Sequence, residues 1–278
     1  AIVARVCASA RQHIDPLSGL TGIGIDEVSY RKGHNYLTVV LDHDTGRLLW
    51  AHPGKSEATL RTFFDELGPE RSNQLTLVSA DAAPWIANVV AERCPNATLC
   101  LDPFHIVKWA HEALDQVRRD LWNQLRRDGK KAEADSLKRS RWALGKNPED
   151  LTDKQRLKLS CIEKDNQPLF RAYLLKEQLR SVFTYSGASA RVQLQGFVSL
   201  ASRSNLEPFI KLAQRIVSHR AGIESALLHG LSNARVEAAN TKFRLLCRLA
   251  YGFHSAAPLI ALALLKLGGL CPPLPRLG

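Results

Sequence analysis

Three carboxylates in this chain fall where a divalent cation could be held: Asp26 on the apolar run "TGIGID", Asp81 closing "QLTLVSAD", and Glu237 within "SNARVEAANTKFRLLCRLAYGF". Two carboxylates side by side repel unless a cation lies between them. Magnesium or manganese suits such a set, because both are hard ions that take oxygen ligands and keep waters. Two such ions, roughly 3.5–4 Å apart, activate a water or a 3′-hydroxyl and stabilise the leaving oxygen at a phosphodiester. Singly, each acid has a plain structural account. Asp26 would be a solvated strand end, Asp81 the cap of the helix after it, and Glu237 a first-turn glutamate. The chemistry therefore depends on which elements bring the three together.

The alternation of residues 20–50 predicts three strands, "TGIGID" ending at Asp26, "HNYLTVVLD" and "RLLWAH", the last two joined by the hairpin turn "HDTG". "SEATLRTFFDELG" has helical period, with Ser56 as N-cap and Gly68 as its stop. "QLTLVSAD" reads as a buried strand, "APWIANVVAERC" as a helix with Pro84 in its first turn, and "ATLCLD" as a fifth strand ending at Asp102. A long helix follows from "PFHIVKWAHEALDQVRRDLWNQLRR". The order β-β-β-α-β-α-β-α is that of a ribonuclease-H-like mixed α/β sheet with helices on both faces. There the first and fourth strands are parallel neighbours, so Asp26 and Asp81 would meet at the sheet edge where α/β folds bind ligands.

Strand signals nearly stop from 118 to 230, where helices are expected at "TDKQRLKLSCIEKD", "PLFRAYLLKEQLRSVF", "SARVQLQGFVSLASRS" and "LEPFIKLAQRIVSHRAGIESALLHG". We divide the chain into a first part of the core (1–117), a large basic all-helical insertion (118–230) and the final core helices (231–278). In the last part, Val236, Ala239, Phe243, Leu246 and Ala250 form one apolar stripe, and Glu237, Asn240, Arg244 and Arg248 a polar stripe beside it. Ser232 or Asn233 would cap that helix. Packed on the sheet, it would add Glu237 to the two aspartates.

In "DPFHIVK", Asp102 as N-cap and Pro103 at the first helical position suffice structurally. The functional alternative has Asp102 and His105 meeting through one turn beside the metal site. Glu27 points to the other face of a continuing strand and is left out of the metal set. The tryptophans read as packing residues, with Trp122 and Trp142 in the basic block the exceptions worth testing as base-stacking platforms.

The chain has 278 residues, 38 Lys/Arg against 27 Asp/Glu, a net charge of +11 and a pI near 9.6. That balance suits a polyanion, nucleic acid before an anionic membrane. Residues 118–146 hold ten Lys/Arg against four Asp/Glu. Six scattered cysteines without a C-x-x-C pair argue against a zinc ribbon or disulfide framework and for a reducing, cytoplasmic setting. "APLIALALLKLGGL" is too short to span a bilayer, and the N-terminus reads as a short amphipathic helix without a signal-peptide core. The absence of methionine suggests a fragment or an altered sequence.

"GIDEVSYRKGHNYLTVVLDHDTGRLLW", "VSADAAPWI", "LDPFHIVKWAHEALDQVRR", "KNPEDLT", "RAYLLKEQLR" and "LSNARVEAANTKFRLLCRLAYGFHS" together resemble the transposases of the ISL3 family of bacterial insertion sequences, over nearly the whole chain. The resemblance implies a DDE catalytic domain with Asp26, Asp81 and Glu237 as both catalytic and metal-holding acids. Asp102, His105 and Asn240 would be accessory, and the insertion is short for the family. It also implies two Mg²⁺ or Mn²⁺ ions, and DNA cleavage by hydrolysis followed by strand transfer through transesterification. Partners would be transposon-end and target DNA, in a homodimer or larger assembly on the bacterial nucleoid, with no membrane. Phosphates would be held by Arg118, Arg119, Arg126, Arg127, Lys130, Lys131, Lys242, Arg244 and Arg248. A structure-selective nuclease of the same fold and an inactive DNA-binding remnant are the alternative readings.

Overall fold

The computed structural model describes residues 2–230 and 234–271, with residues 234–237 described by backbone alone. By internal contacts the chain divides into two units, residues 1–102 with 231–278, and residues 103–230.

The first unit is built on a mixed five-stranded sheet. Its strands are β1 (Gly22–Arg31), β2 (Asn35–Asp42), β3 (Leu48–Pro53), β4 (Leu77–Ala80) and β5 (Thr98–Leu101), in spatial order β3-β2-β1-β4-β5. β1–β2 and β2–β3 pair antiparallel, and β1–β4 and β4–β5 pair parallel. The hairpin between β2 and β3 is held by buried Asp42, which accepts from the Asp44 N–H at 2.9 Å and from the Thr45 hydroxyl. Its side chain supplies the bonds that the turning backbone lacks.

Strand alternation gives the sheet two apolar faces. Ile23, Ile25, Val78 and Ala80 share one core with Phe63 of α2 (Glu57–Leu67) and Ile86 and Val89 of α4 (Pro84–Arg93). Val28, Leu37, Val39 and Leu41 share the other with Phe243 of α12 (Ala234–Leu249), Leu259 and Ala263 of α13 (Ala256–Leu267), and Cys7 of α1 (Ile2–Arg11). The start and stop signals act as their chemistry dictates. The Ser56 hydroxyl accepts from the Thr59 N–H at 3.2 Å, and Gly68, at φ 83°, takes the positive-φ conformation that ends α2.

Two boundaries differ from those expected. β1 does not end at Asp26 but runs to Arg31, because β2 continues to pair with it through Asn35 after the ladder to β4 has stopped at Gly24–Ser79. A short helix, α3 (Pro69–Gln74), fills the segment before β4; its six residues, "PERSNQ", carry no apolar period to announce it.

The second unit has no strand among its described residues. It comprises α5 (Pro103–Arg127), α6 (Lys131–Gly145), α7 (Asp153–Asp165), α8 (Gln167–Val182), α9 (Gly187–Ser202), α10 (Glu207–Ser218) and α11 (Arg220–His229). The stretch expected as one helix over 206–230 is two, broken at His219. There the backbone leaves helical geometry (φ −107°, ψ 14°), and the His219 ring accepts or donates to Ser218 at 2.9 Å. Leu169, Phe197, Phe209 and Ile216 are fully buried, and Arg215 lies 3.7 Å above the buried Trp109 ring. Lys176 of α8 is also fully buried. It donates to the carbonyls of Leu144 at 3.0 Å and Lys146 at 3.2 Å and pairs with Glu177. Its ammonium thus caps the negative end of α6. Burial lowers its pKa and the Glu177 carboxylate opposes that shift.

Candidate functional site

β1 and β4 pair in parallel as Gly22–Leu77, Ile23–Val78 and Gly24–Ser79. The ladder stops at Gly24–Ser79, two residues short of Asp26 on β1 and of Asp81, which directly follows β4. Ile25 points into the α2–α4 core, so the alternation puts Asp26 on the opposite side of β1, the one α12 covers. Asp26 is half-buried. Its Oδ1 accepts the Glu27 N–H at 2.6 Å, and its Oδ2 accepts the Asn240 side-chain amide.

Asn240 is buried, and its Oδ1 has no hydrogen-bond partner among the described residues. Ala239, Phe243 and Leu246 seat α12 on the sheet, which is what presents Asn240 to Asp26. Glu237 is on the backbone of α12 one turn before Asn240; its side chain lies outside the described residues, as do the expected caps Ser232 and Asn233. Glu27 faces away from Asp26 and pairs with Lys55.

Asp81 and Asp102 follow adjacent parallel strands, and His105 comes one helical turn after Asp102 in the same run of chain. Each offers one ligand atom, and these atoms all lie within 4.8 Å of one another. Two carboxylate oxygens and one imidazole nitrogen form a donor set that suits a divalent cation. The sequence expects Asp102 and His105 beside the metal site as accessory residues, and their ligand atoms lie with that of Asp81.

Ser79, two residues before Asp81, is bonded to His43 Nε2 at 2.6 Å. Nothing in the residue pattern joins these two positions. The pair's only signal is a histidine directly after β2, absorbed into the turn "HDTG".

The basic residues divide by exposure. Arg119, Arg126, Arg127, Lys130 and Lys131 are exposed around the end of α5 and the start of α6, as are Lys242, Arg244 and Arg248 on α12. Arg118 is buried instead, and gives its Nε and Nη2 to Asp115 Oδ1 at 2.9 and 2.7 Å. All six cysteines are free. Burial pushes the Cys94 thiol up to about 12 and the Cys100 thiol to about 11, which suits packing rather than reactivity. Among the described residues no helix is long and apolar enough to cross a membrane.

A family model described as "Transposase", that of the ISL3 DDE transposases, matches residues 23–263. The transposases for insertion sequence element IS1557 from two strains of Mycobacterium tuberculosis, CDC 1551 / Oshkosh and H37Rv, are each 52% identical to this chain over 294 residues. Those alignments cover 99% of this chain and 66% of each relative. The transposase for insertion sequence element IS1001 of Bordetella parapertussis is 32% identical over 253 residues, covering 90% of this chain and 61% of the relative. The chain thus spans just under two thirds of the length of the curated relatives it matches. With one family model matching most of its length and relatives this similar along it, the chain belongs to the ISL3 family of transposases.

Proposed function

We propose that this chain is the catalytic part of a DDE transposase: a ribonuclease-H-like core (1–117 and 231–278) interrupted by a basic helical insertion (118–230), which cuts DNA at insertion-sequence ends and joins the freed end to target DNA. The observation that carries the reading is the meeting of Asp26 with Asn240 across β1 and α12. It ties the first acid to the helix that bears Glu237, and the parallel pairing of β1 with β4 supports a second acid, Asp81, near the first.

The donor set fits hard divalent ions. Asp26, Asp81 and Glu237 would hold two Mg²⁺ or Mn²⁺ ions, with Asp102 and His105 beside Asp81 as accessory donors. The buried Asn240 Oδ1, without a partner among the described residues, is a further oxygen at this point. Such ions supply Lewis acidity at the phosphodiester and a nucleophile at neutral pH. The protein's own task is positioning. Asn240 donates to the Asp26 carboxylate, and the parallel strands would hold the two aspartates together. The exposed cations of α5, α6 and α12 would hold phosphates of transposon-end and target DNA, giving salt-sensitive affinity. Cutting and joining paired ends calls for at least a dimer on DNA, at the bacterial nucleoid.

A supercoiled plasmid carrying the two ends that flank this chain's own gene provides the test, with Mg²⁺ or Mn²⁺ and the full-length protein. The wild type is expected to yield both cut ends and joined product, and Asp26→Ala, Asp81→Ala and Glu237→Ala to yield neither. Cleavage without any joined product would support a nuclease instead. Cleavage unchanged in Asp26→Ala would overturn the assignment of the acids.

A further inference from the structure

A second site lies within the helical unit. α5 and α6 enclose a cleft of about 460 Å³, lined by Leu114 and Leu144 below and by Arg141, Trp142 and Lys146 at the mouth. The volume is that of a site for one small organic group. Trp142 is 73% exposed, which is unusual for the largest apolar side chain, and the Arg141 guanidinium sits 5.7 Å from its ring. We infer that this cleft takes an unpaired DNA base, stacked on the Trp142 indole with its flanking phosphates on Arg141 and Lys146. The inference rests on DNA being the partner, as proposed above, but concerns a site separate from the acids.

The charges at the cleft favour that occupant over an acidic or apolar peptide. Arg141 and Lys146 are both exposed, in a run of net charge +6 (ten Lys/Arg against four Asp/Glu over 118–146). The one carboxylate in the lining, Asp115, is neutralised by Arg118 and by Arg119 at 3.3 Å. Lys146 donates to the Asp150 carbonyl at 3.3 Å, which leaves the other ammonium protons for phosphate. The mouth is held from behind by the buried Lys176, through the Leu144 and Lys146 carbonyls on either side of Gly145. His111, in the lining, is kept below the ordinary imidazole range by burial and by Lys176 and Arg180, so at neutral pH it offers a neutral ring with one donor and one acceptor to a base edge.

A base inside a duplex cannot reach an indole face, whereas an unpaired base can stack on it whatever its identity. The track continues along α5. Trp122 lies one turn beyond Arg118, with the Arg126 guanidinium 5.0 Å from its ring.

Fluorescence anisotropy, without divalent metal, tests the inference with three labelled DNAs of equal length: a paired duplex, the same duplex with one unpaired nucleotide, and a single strand. The wild type is expected to prefer the two DNAs with unpaired bases by about tenfold, within the range of one stacked base. Trp142→Ala should erase the preference and leave duplex affinity unchanged. Trp142→Phe should keep most of it, and Arg141→Ala should weaken all three DNAs. Equal affinities in the wild type, or a preference that survives Trp142→Ala, would overturn the base site while leaving the acid assignment untouched. Failure to bind any DNA would overturn both the site and the reading of the partner.

Discussion

Replacing Asn240 separates a positioning role from a merely structural one, because its two polar ends act in opposite directions on stability. The amide donates to the Asp26 carboxylate, and a hydrogen bond to a charged group contributes about 1.5–3 kcal/mol. The Oδ1 atom is buried without a partner among the described residues, and an atom so left costs about 1–3 kcal/mol. Alanine removes both terms, so Asn240→Ala is expected to change stability by only about 1 kcal/mol in either direction. For a chain of this size that is a shift of about 2–4 °C in melting temperature. If Asn240 orients Asp26 for a cation, the same variant should bind Mn²⁺ about 10–100-fold more weakly, the usual effect of losing a group that orients a ligand. Asn240→Asp sets a second carboxylate against Asp26. It should melt early without metal and regain stability as Mn²⁺ is added. Calorimetry gives the melting temperatures, and the electron-paramagnetic-resonance signal of free Mn²⁺ gives the affinities. A large loss of stability in Asn240→Ala with unchanged Mn²⁺ affinity would refute the reasoning, since the residue would then only hold α12 to β1.

Three further outcomes follow from the packing. Phe243→Ala empties a fully buried position between α12 and the sheet and should cost about 3–5 kcal/mol; hydrogen exchange would show α12 losing protection before β1 and β2 do. Lys176→Met leaves the Leu144 and Lys146 carbonyls and Glu177 without their cation, while Glu177 keeps Arg180 at 2.8 Å. We expect a loss of about 3 kcal/mol, read from the urea midpoint; an equally stable methionine variant would show that the buried charge was dispensable. His111 is held below its ordinary pKa chiefly by burial, so the unfolded chain takes up the proton first as pH falls. Stability from this group is complete above about pH 7 and is lost as pH falls through the folded value. His111→Gln should flatten that part of the pH–stability curve, and an unchanged curve would count against the assignment.

Much of the fold was legible because local chemistry and tertiary packing agree. Ser56 and Gly68 bracket α2, Pro84 and Pro103 open α4 and α5, and Asp42 closes the hairpin, each for reasons contained within a few residues. What was illegible depends on neighbours. The second half of β1, "EVSYR", is polar and is a strand only because β2 pairs with it. The break at His219 falls within a run of helical period, with no proline to mark it. Lys176 reads as one more solvated charge in "LLKEQLR", and only carbonyls from around the end of α6 make its burial tolerable. The stripe of α12 placed Asn240 beside Glu237 from spacing alone. That Asn240 lands on Asp26 needed the sheet order. The gathering of Asp81, Asp102 and His105 needed β4 and β5 to be parallel neighbours.

Manganese anomalous scattering from a soaked crystal shows whether Asp26 and Asp81 share a cation with Glu237, as proposed. An anomalous peak is expected within bonding distance of carboxylate oxygens of Asp26 and Asp81, and is expected to be absent from an Asp81→Ala crystal. Carboxylates that stay apart at high manganese with no peak between them, or a peak that persists in Asp81→Ala, would contradict the proposal.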